Sequence, residues 1–138
     1  MQNPDAIVIA GDSFTVLSDG TALEKPVTIE EAKEMMKKES GAKGTVYAGF
    51  CYIDKNEKID FSTTSVTTFQ NREFSEEEID LYIKKYPVTT WAGGLSPAYP
   101  YGLTFVYSIN GSITGFAHGF PIELVIEYLS KSGIEPRP

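Results

Sequence analysis

The sequence predicts one α/β-type domain, of the α+β kind, built on a mixed β-sheet with long hairpins and about three helices. Two observations carry this. Extended apolar segments joined by short turns outnumber β-α-β units, and three segments show apolar residues at helical spacing behind capping signals. The 138 residues suit a single domain, and 41% hydrophobic with 22% charged residues is a globular composition. No repeat or linker divides residues 1–138.

Ala6-Ile7-Val8-Ile9-Ala10 is an unbroken, β-branched run that ends at Gly11. It predicts a mid-sheet strand buried on both faces, with Asp12 where that strand runs out. Phe14 to Leu17 and the Asp19-Gly20 turn then form a hairpin. Thr28 and Glu31 make a capping box, and Ile29, Ala32, Met35 and Met36 recur at helical spacing, so a helix runs from Thr28 to Ser40 and stops at Gly41. Glu30 and Glu31 at its start and Lys37 and Lys38 at its end complement the helix dipole and read as a solvated face.

Thr45 to Ile53 and Ile59 to Phe69, on either side of a polar turn, predict a long antiparallel hairpin. Ser75 and Glu78 form a second capping box, opening a helix that ends near Tyr86-Pro87 and carries Ile79, Tyr82 and Ile83 on one face. The stretch from Thr89 to Gly102 has no period. With Trp91, Tyr99 and Tyr101, it is either an aromatic contact surface or a loop packed over the core. Leu103 to Ile109, the Asn110-Gly111 turn and Ser112 to Gly115 read as another hairpin. A last helix starts at Pro121, has a core stripe of Ile122, Val125, Ile126 and Leu129, and ends at Gly133. The tally is about seven strands.

Nineteen acidic against twelve basic residues give a net charge of −7, which opposes binding to a DNA or RNA polymer or to an anionic membrane. A phosphate ligand must be held locally, and the arginines are only Arg72 and Arg137. Cys51 stands alone, which excludes an intramolecular disulfide, and it reads as a small buried apolar side chain. No apolar run reaches the roughly 18 residues of a membrane span, and Met1 to Asp5 lack the basic start of a secretory signal. The expectation is a cytoplasmic protein in a reducing compartment.

Walker loops, GxSxG, paired cysteines and histidine clusters are missing. The single histidine, His118, reads as structural. Asp12, between Gly11 and Ser13, has two readings: a turn cap, or a carboxylate at a sheet edge that holds a divalent metal or orients water towards a phosphate. Lys25, beside Pro26, is either an exposed loop lysine or a point charge for phosphate oxygens.

Val8-Ile9-Ala10-Gly11-Asp12-Ser13-Phe14-Thr15-Val16 resembles the V-I-G-A-D-T-V-V signature of the Maf family, the septum-formation-associated nucleoside triphosphate pyrophosphatases. The likeness continues in order. Glu24-Lys25-Pro26 is similar to the family's G-K-P, Glu31-Ala32 through Ser40-Gly41 to E-A…L-S-G, and Thr64 to Phe69 to T-x-V-x-F. Phe74 to Ile79 resembles L-S-x-E-E-I, Ala92-Gly93 the A-G of D-K-A-G-A-Y, and Gly119-Phe120-Pro121 the terminal G-L-P.

The resemblance implies a hydrolase that splits a nucleoside triphosphate into monophosphate and pyrophosphate with Mg²⁺ or Mn²⁺, in a protein that can form a homodimer. It implies that Asp12 is the catalytic and metal-binding residue and that Lys25, Ser13, Thr67 and Gly93 contact substrate. The family pattern has His at Gly44, Asp-Lys at Thr90-Trp91 and Tyr-Gly-x-Gln at Leu95 to Ala98. Its Ser-x-Ser-x-Arg-Arg phosphate-binding segment comes before the stretch that opens this chain, so the chain is expected to be N-terminally short relative to the family. The alternative is a catalytically impaired nucleotide-binding or protein-interaction domain.

Overall fold

The computed structural model describes residues 5–137; Met1 to Pro4, on which part of the reading of the N-terminal start falls, and Pro138 lie outside the described residues. Five strands form one sheet: β1 (Val8–Leu17), β2 (Ala22–Leu23), β3 (Lys43–Asp54), β4 (Ile59–Asn71) and β5 (Val106–Asn110). Their order is β2-β1-β3-β4-β5, and every pairing is antiparallel. The helices are α1 (Ile29–Glu39), α2 (Glu76–Lys85), α3 (Pro100–Leu103), α4 (Ile113–His118) and α5 (Ile122–Lys131). The α/β class, the long β3–β4 hairpin and the three longer helices agree with the sequence.

Two differences reduce the expected strands. Ala6–Ala10 and Phe14–Leu17 are not separate, because β1 pairs with β3 without interruption from Val8↔Ile53 to Leu17↔Gly44. Asp12 therefore lies within a strand and not beyond its end. The strand is also not buried on both faces. Residues 9–14 are exposed, since β2 pairs only with Thr15 and Val16 and leaves the outer edge of the preceding residues without a strand neighbour among the described residues. The second difference is α4, which replaces the expected Ser112–Gly115 strand. The Ser112 hydroxyl accepts the Gly115 N–H at 2.9 Å and caps a helix.

The helix caps follow local chemistry. At α2, Ser75 Oγ accepts the Glu78 N–H at 3.2 Å and Glu78 Oε2 accepts the Ser75 N–H at 2.9 Å, the full capping box. At α1, Thr28 Oγ1 accepts the Glu31 N–H, but the Glu31 carboxylate reaches one residue further back, to Val27 N–H at 2.7 Å. The charged face of α1 is not merely solvated. Lys33 pairs with Asp80 at 2.5 Å and Lys37 with Glu76 at 3.1 Å, which ties α1 to α2.

One face of β3 is buried at alternate residues, with Val46, Ala48, Phe50 and Tyr52 pointing inward. Three apolar clusters result. One joins α1, α2 and Phe105, a second lies under α4 with Leu23, Phe69 and Phe116, and a third packs Phe50 and Tyr52 against α5. In α5 the inward residues are Leu124, Val125, Tyr128 and Leu129, whereas Ile122 and Ile126 of the expected stripe are 38% and 45% exposed. Cys51 alternates to the other face of β3 and is half-buried.

Phe50 meets the rings of Phe61, Phe120 and Tyr128 at 5.8 to 6.3 Å between centroids and is almost fully buried. Phe50→Ala is expected to lower stability by about 3–5 kcal/mol, read as a shift in the urea midpoint at unchanged slope.

Candidate functional site

The first two clusters meet without closing. Between them is a cleft of about 340 Å³, in the size range of small-molecule sites, floored by Leu23, Val46, Phe69, Val106, Phe116 and Leu95. Asp12, Ser13, Lys25, Glu39, Asn71 and His118 supply its main polar groups.

Alternation along β1 puts Ser13 and Thr15 on the face of Val46 and Ala48, and Asp12 on the other. The carboxylate of Asp12 lies beside its own backbone, with Oδ1 accepting the Ser13 N–H at 2.8 Å, and in this way reaches the rim of the cleft. Two glycines fix the strand here. The Phe120 ring fills the space where a Cβ on Gly11 would stand, at 2.5 Å, and the Ser13 hydroxyl fills the corresponding space on Gly119. Gly119 also has φ +65°, the left-handed conformation in which α4 ends. His118, read from sequence as structural, is thereby brought to the cleft at the end of α4.

Lys25 is exposed at the cleft and takes part in no ion pair among the described residues. Its segment is held by Gly93, whose N–H donates to Glu24 O at 2.9 Å. Gly93 has φ +71°, and Glu39 Oε1 occupies the space a Cβ would take. Gly93 thus supports the wall, while its neighbours Ala92 and Trp91 line it. Thr67 is elsewhere. It is buried beneath the start of α4, its hydroxyl donating to Ser112 O at 3.2 Å, and it does not line the cleft. The structure therefore gathers Asp12, Ser13 and Lys25 at one cleft, sets Gly93 behind it and separates Thr67 from it.

The segment between Thr89 and Gly102 packs over the core. Trp91 lies 6.4 Å from Tyr82, 6.2 Å from Tyr86 and 5.1 Å from Tyr99, ring to ring. Tyr82 accepts the Ser96 N–H through its hydroxyl at 3.1 Å, and burial pushes its phenol up to about 12, so it remains neutral. Gly44, where the family pattern has His, has no room for a side chain, because a Phe69 ring atom lies 2.5 Å from the Cβ position.

Glu39 was not singled out from the sequence. It is 5% exposed, lines the cleft, and its Oε1 has no hydrogen-bond partner among the described residues. Burial pushes its carboxyl well above the ordinary range. The available signal was its spacing. Ala32, Met36 and Glu39 share one buried helix face, so a carboxylate stands at an apolar position.

A model of the family described as Maf-like protein matches residues 1–132. The dTTP/UTP pyrophosphatase of Thermotoga maritima is 33% identical over 129 residues, covering 94% of this chain and 61% of the relative. The proteins of the same name from Deinococcus radiodurans and Pyrococcus abyssi are 31% and 33% identical, covering 96% and 98% of this chain and 66% and 69% of their own lengths. The chain thus spans about three-fifths of the length of the Thermotoga relative.

With its folded pKa raised above the roughly 4.3 of a free glutamate, Glu39 keeps a proton that the unfolded chain releases. The stability linked to it is complete below that value and is lost as pH rises towards the folded pKa. Glu39→Gln is expected to raise stability at neutral pH and flatten its decline with rising pH. Urea midpoints measured across pH check this, and parallel curves for the two proteins would contradict it.

Proposed function

The chain belongs to the Maf-like protein family, and on that premise we propose that its cleft binds a nucleoside triphosphate and hydrolyses it to the monophosphate and pyrophosphate. The observation that carries the reading is a carboxylate, Asp12, and a lysine without an ion pair among the described residues, Lys25, in one cleft of about 340 Å³. The relatives named dTTP/UTP pyrophosphatases support uracil and thymine nucleotides as the substrates to test first.

Lys25 supplies a local positive charge for phosphate oxygens, against the net charge of −7. Asp12 accepts the proton of a water whose oxygen attacks the α-phosphorus. The bond from that phosphorus to the bridging oxygen breaks, and pyrophosphate leaves. Ser13, alongside, adds a hydroxyl for a phosphate or sugar oxygen. Among the described residues no three His, Cys, Asp or Glu side chains cluster to hold a metal unaided. This donor set suits Mg²⁺ or Mn²⁺, which bind through one or two carboxylates completed by water and substrate phosphates, with Asp12 as the protein ligand. When bound, such a cation supplies charge stabilisation to the phosphate oxygens.

Among the described residues no helix is long and apolar enough to cross a membrane. With its lone cysteine, we place the protein with the nucleotide pool of the cytoplasm.

Incubation with UTP or dTTP and Mg²⁺ or Mn²⁺ is expected to release pyrophosphate, and chelation of the metal to stop it. Asp12→Asn should lower kcat by about 10²–10⁴, and Lys25→Ala should act mainly on KM. Pyrophosphate release no higher than that of Asp12→Asn overturns the hydrolytic reading.

A further inference from the structure

Glu39 is the cleft group that the proposed hydrolysis leaves unused. Its main chain is fixed: the carbonyl oxygen accepts Asn71 Nδ2–H at 3.0 Å and the Ala42 N–H at 3.1 Å. Its carboxyl lies against Gly93, where Oε1 occupies the space a Cβ would take, and among the described residues Oε1 has no hydrogen-bond partner. A buried carboxyl oxygen without a hydrogen bond costs folding free energy, and a ligand group can recover part of that cost.

The chemistry around Glu39 narrows the ligand group. The exposed cation suited to a phosphate, Lys25, is at the rim. The remainder of the floor is apolar, with Leu23, Val46, Phe69 and Leu95, and accepts the faces of a flat ring. A carboxyl that retains its proton offers one donor and one acceptor side by side. The imide edge of uracil or thymine offers the complementary pair, an N3–H beside a ring carbonyl.

Resting on the nucleotide reading above, we propose that Glu39 is a specificity-determining residue, its carboxyl donating to a ring carbonyl of uracil or thymine and accepting from N3–H. Buried acids kept neutral so that they can donate are a known device of active sites. The same carboxyl can pair with cytosine if the proton moves to its other oxygen, so the decisive position is N3 and not the choice among pyrimidines.

The test is equilibrium binding, by calorimetry, of UMP, 3-methyl-UMP and ribose 5-phosphate, with UTP and Mg²⁺ as the reference ligand. Wild-type protein should prefer UMP over both analogues by about tenfold to a hundredfold, the worth of one or two hydrogen bonds made in a desolvated site. Glu39→Gln, whose carboxamide also offers a donor and an acceptor, should keep the preference. Glu39→Leu, which replaces a buried unpaired carboxyl with an apolar group and whose folding a thermal melt checks, should abolish it. If wild type binds UMP and 3-methyl-UMP alike, or Glu39→Leu keeps the preference, the assignment to Glu39 fails while UTP binding still supports the nucleotide site. If UTP does not bind either, the nucleotide reading fails with it.

Discussion

The C-terminus of α1 is fastened to the end of β4 by a short seam of hydrogen bonds, and the cleft takes its shape from that seam. Gly41 N–H donates to Arg72 O, Asn71 N–H to Ala42 O, and Ser40 Oγ exchanges bonds with the main chain of Phe74 at 2.9 and 3.2 Å. Because these contacts are backbone-directed and partly buried, they set the last turn of α1 at a fixed height over the sheet. Glu39 is then held against Gly93, and the wall that includes Ala92 and Trp91 has a defined place to rest. Without the seam the first and second apolar clusters would have no fixed gap between them.

The same seam accounts for the use of Arg72. Its Nε donates to Thr104 O at 2.7 Å, its other nitrogens bond Glu73 O and the Glu78 carboxylate, and its guanidinium lies 5.1 Å from the centre of the Phe105 ring. Arg72 also holds the Glu78 carboxyl below its ordinary range. An arginine committed in this way joins α2 to the sheet and is not available to an anion in the cleft. Lys25 and His118 are left as the basic residues lining the cleft.

What could be read from the sequence was local. Capping boxes and helix stripes depend on residues three and four apart, and α1 and α2 begin and end where Thr28, Ser75, Gly41 and Tyr86 indicate. What could not be read depended on distant partners. Gly11 looks like the end of a strand, yet the β3 ladder carries β1 through it and the Phe120 ring explains the glycine. Asn110-Gly111 looks like a hairpin turn, yet the Ser112 cap starts a helix. Asp12, Ser13 and Lys25 could be singled out because they lie within short recognisable stretches, and all three line the cleft. Thr67 lies in a matched stretch too, but its hydroxyl is taken by Ser112. Glu39 and His118 join the cleft only through tertiary packing: the helix spacing marks Glu39 as a carboxylate at an apolar position, but not the cleft it faces.

The position of Asp12 on β1 has a consequence for solubility. Residues 8–14 present a strand edge with no strand beside it among the described residues, rich in Val, Ile and Phe, the kind of surface on which another chain can add and aggregation can start. A negative charge folded along that edge, with the Ser13 N–H already occupied, opposes such addition. The carboxylate therefore guards the strand edge as well as lining the cleft, and replacing it with alanine removes both contributions together. Asparagine retains an acceptor for the Ser13 N–H while removing the charge, so an effect on activity can be separated from self-association only if the aggregation state of each variant is measured alongside its activity.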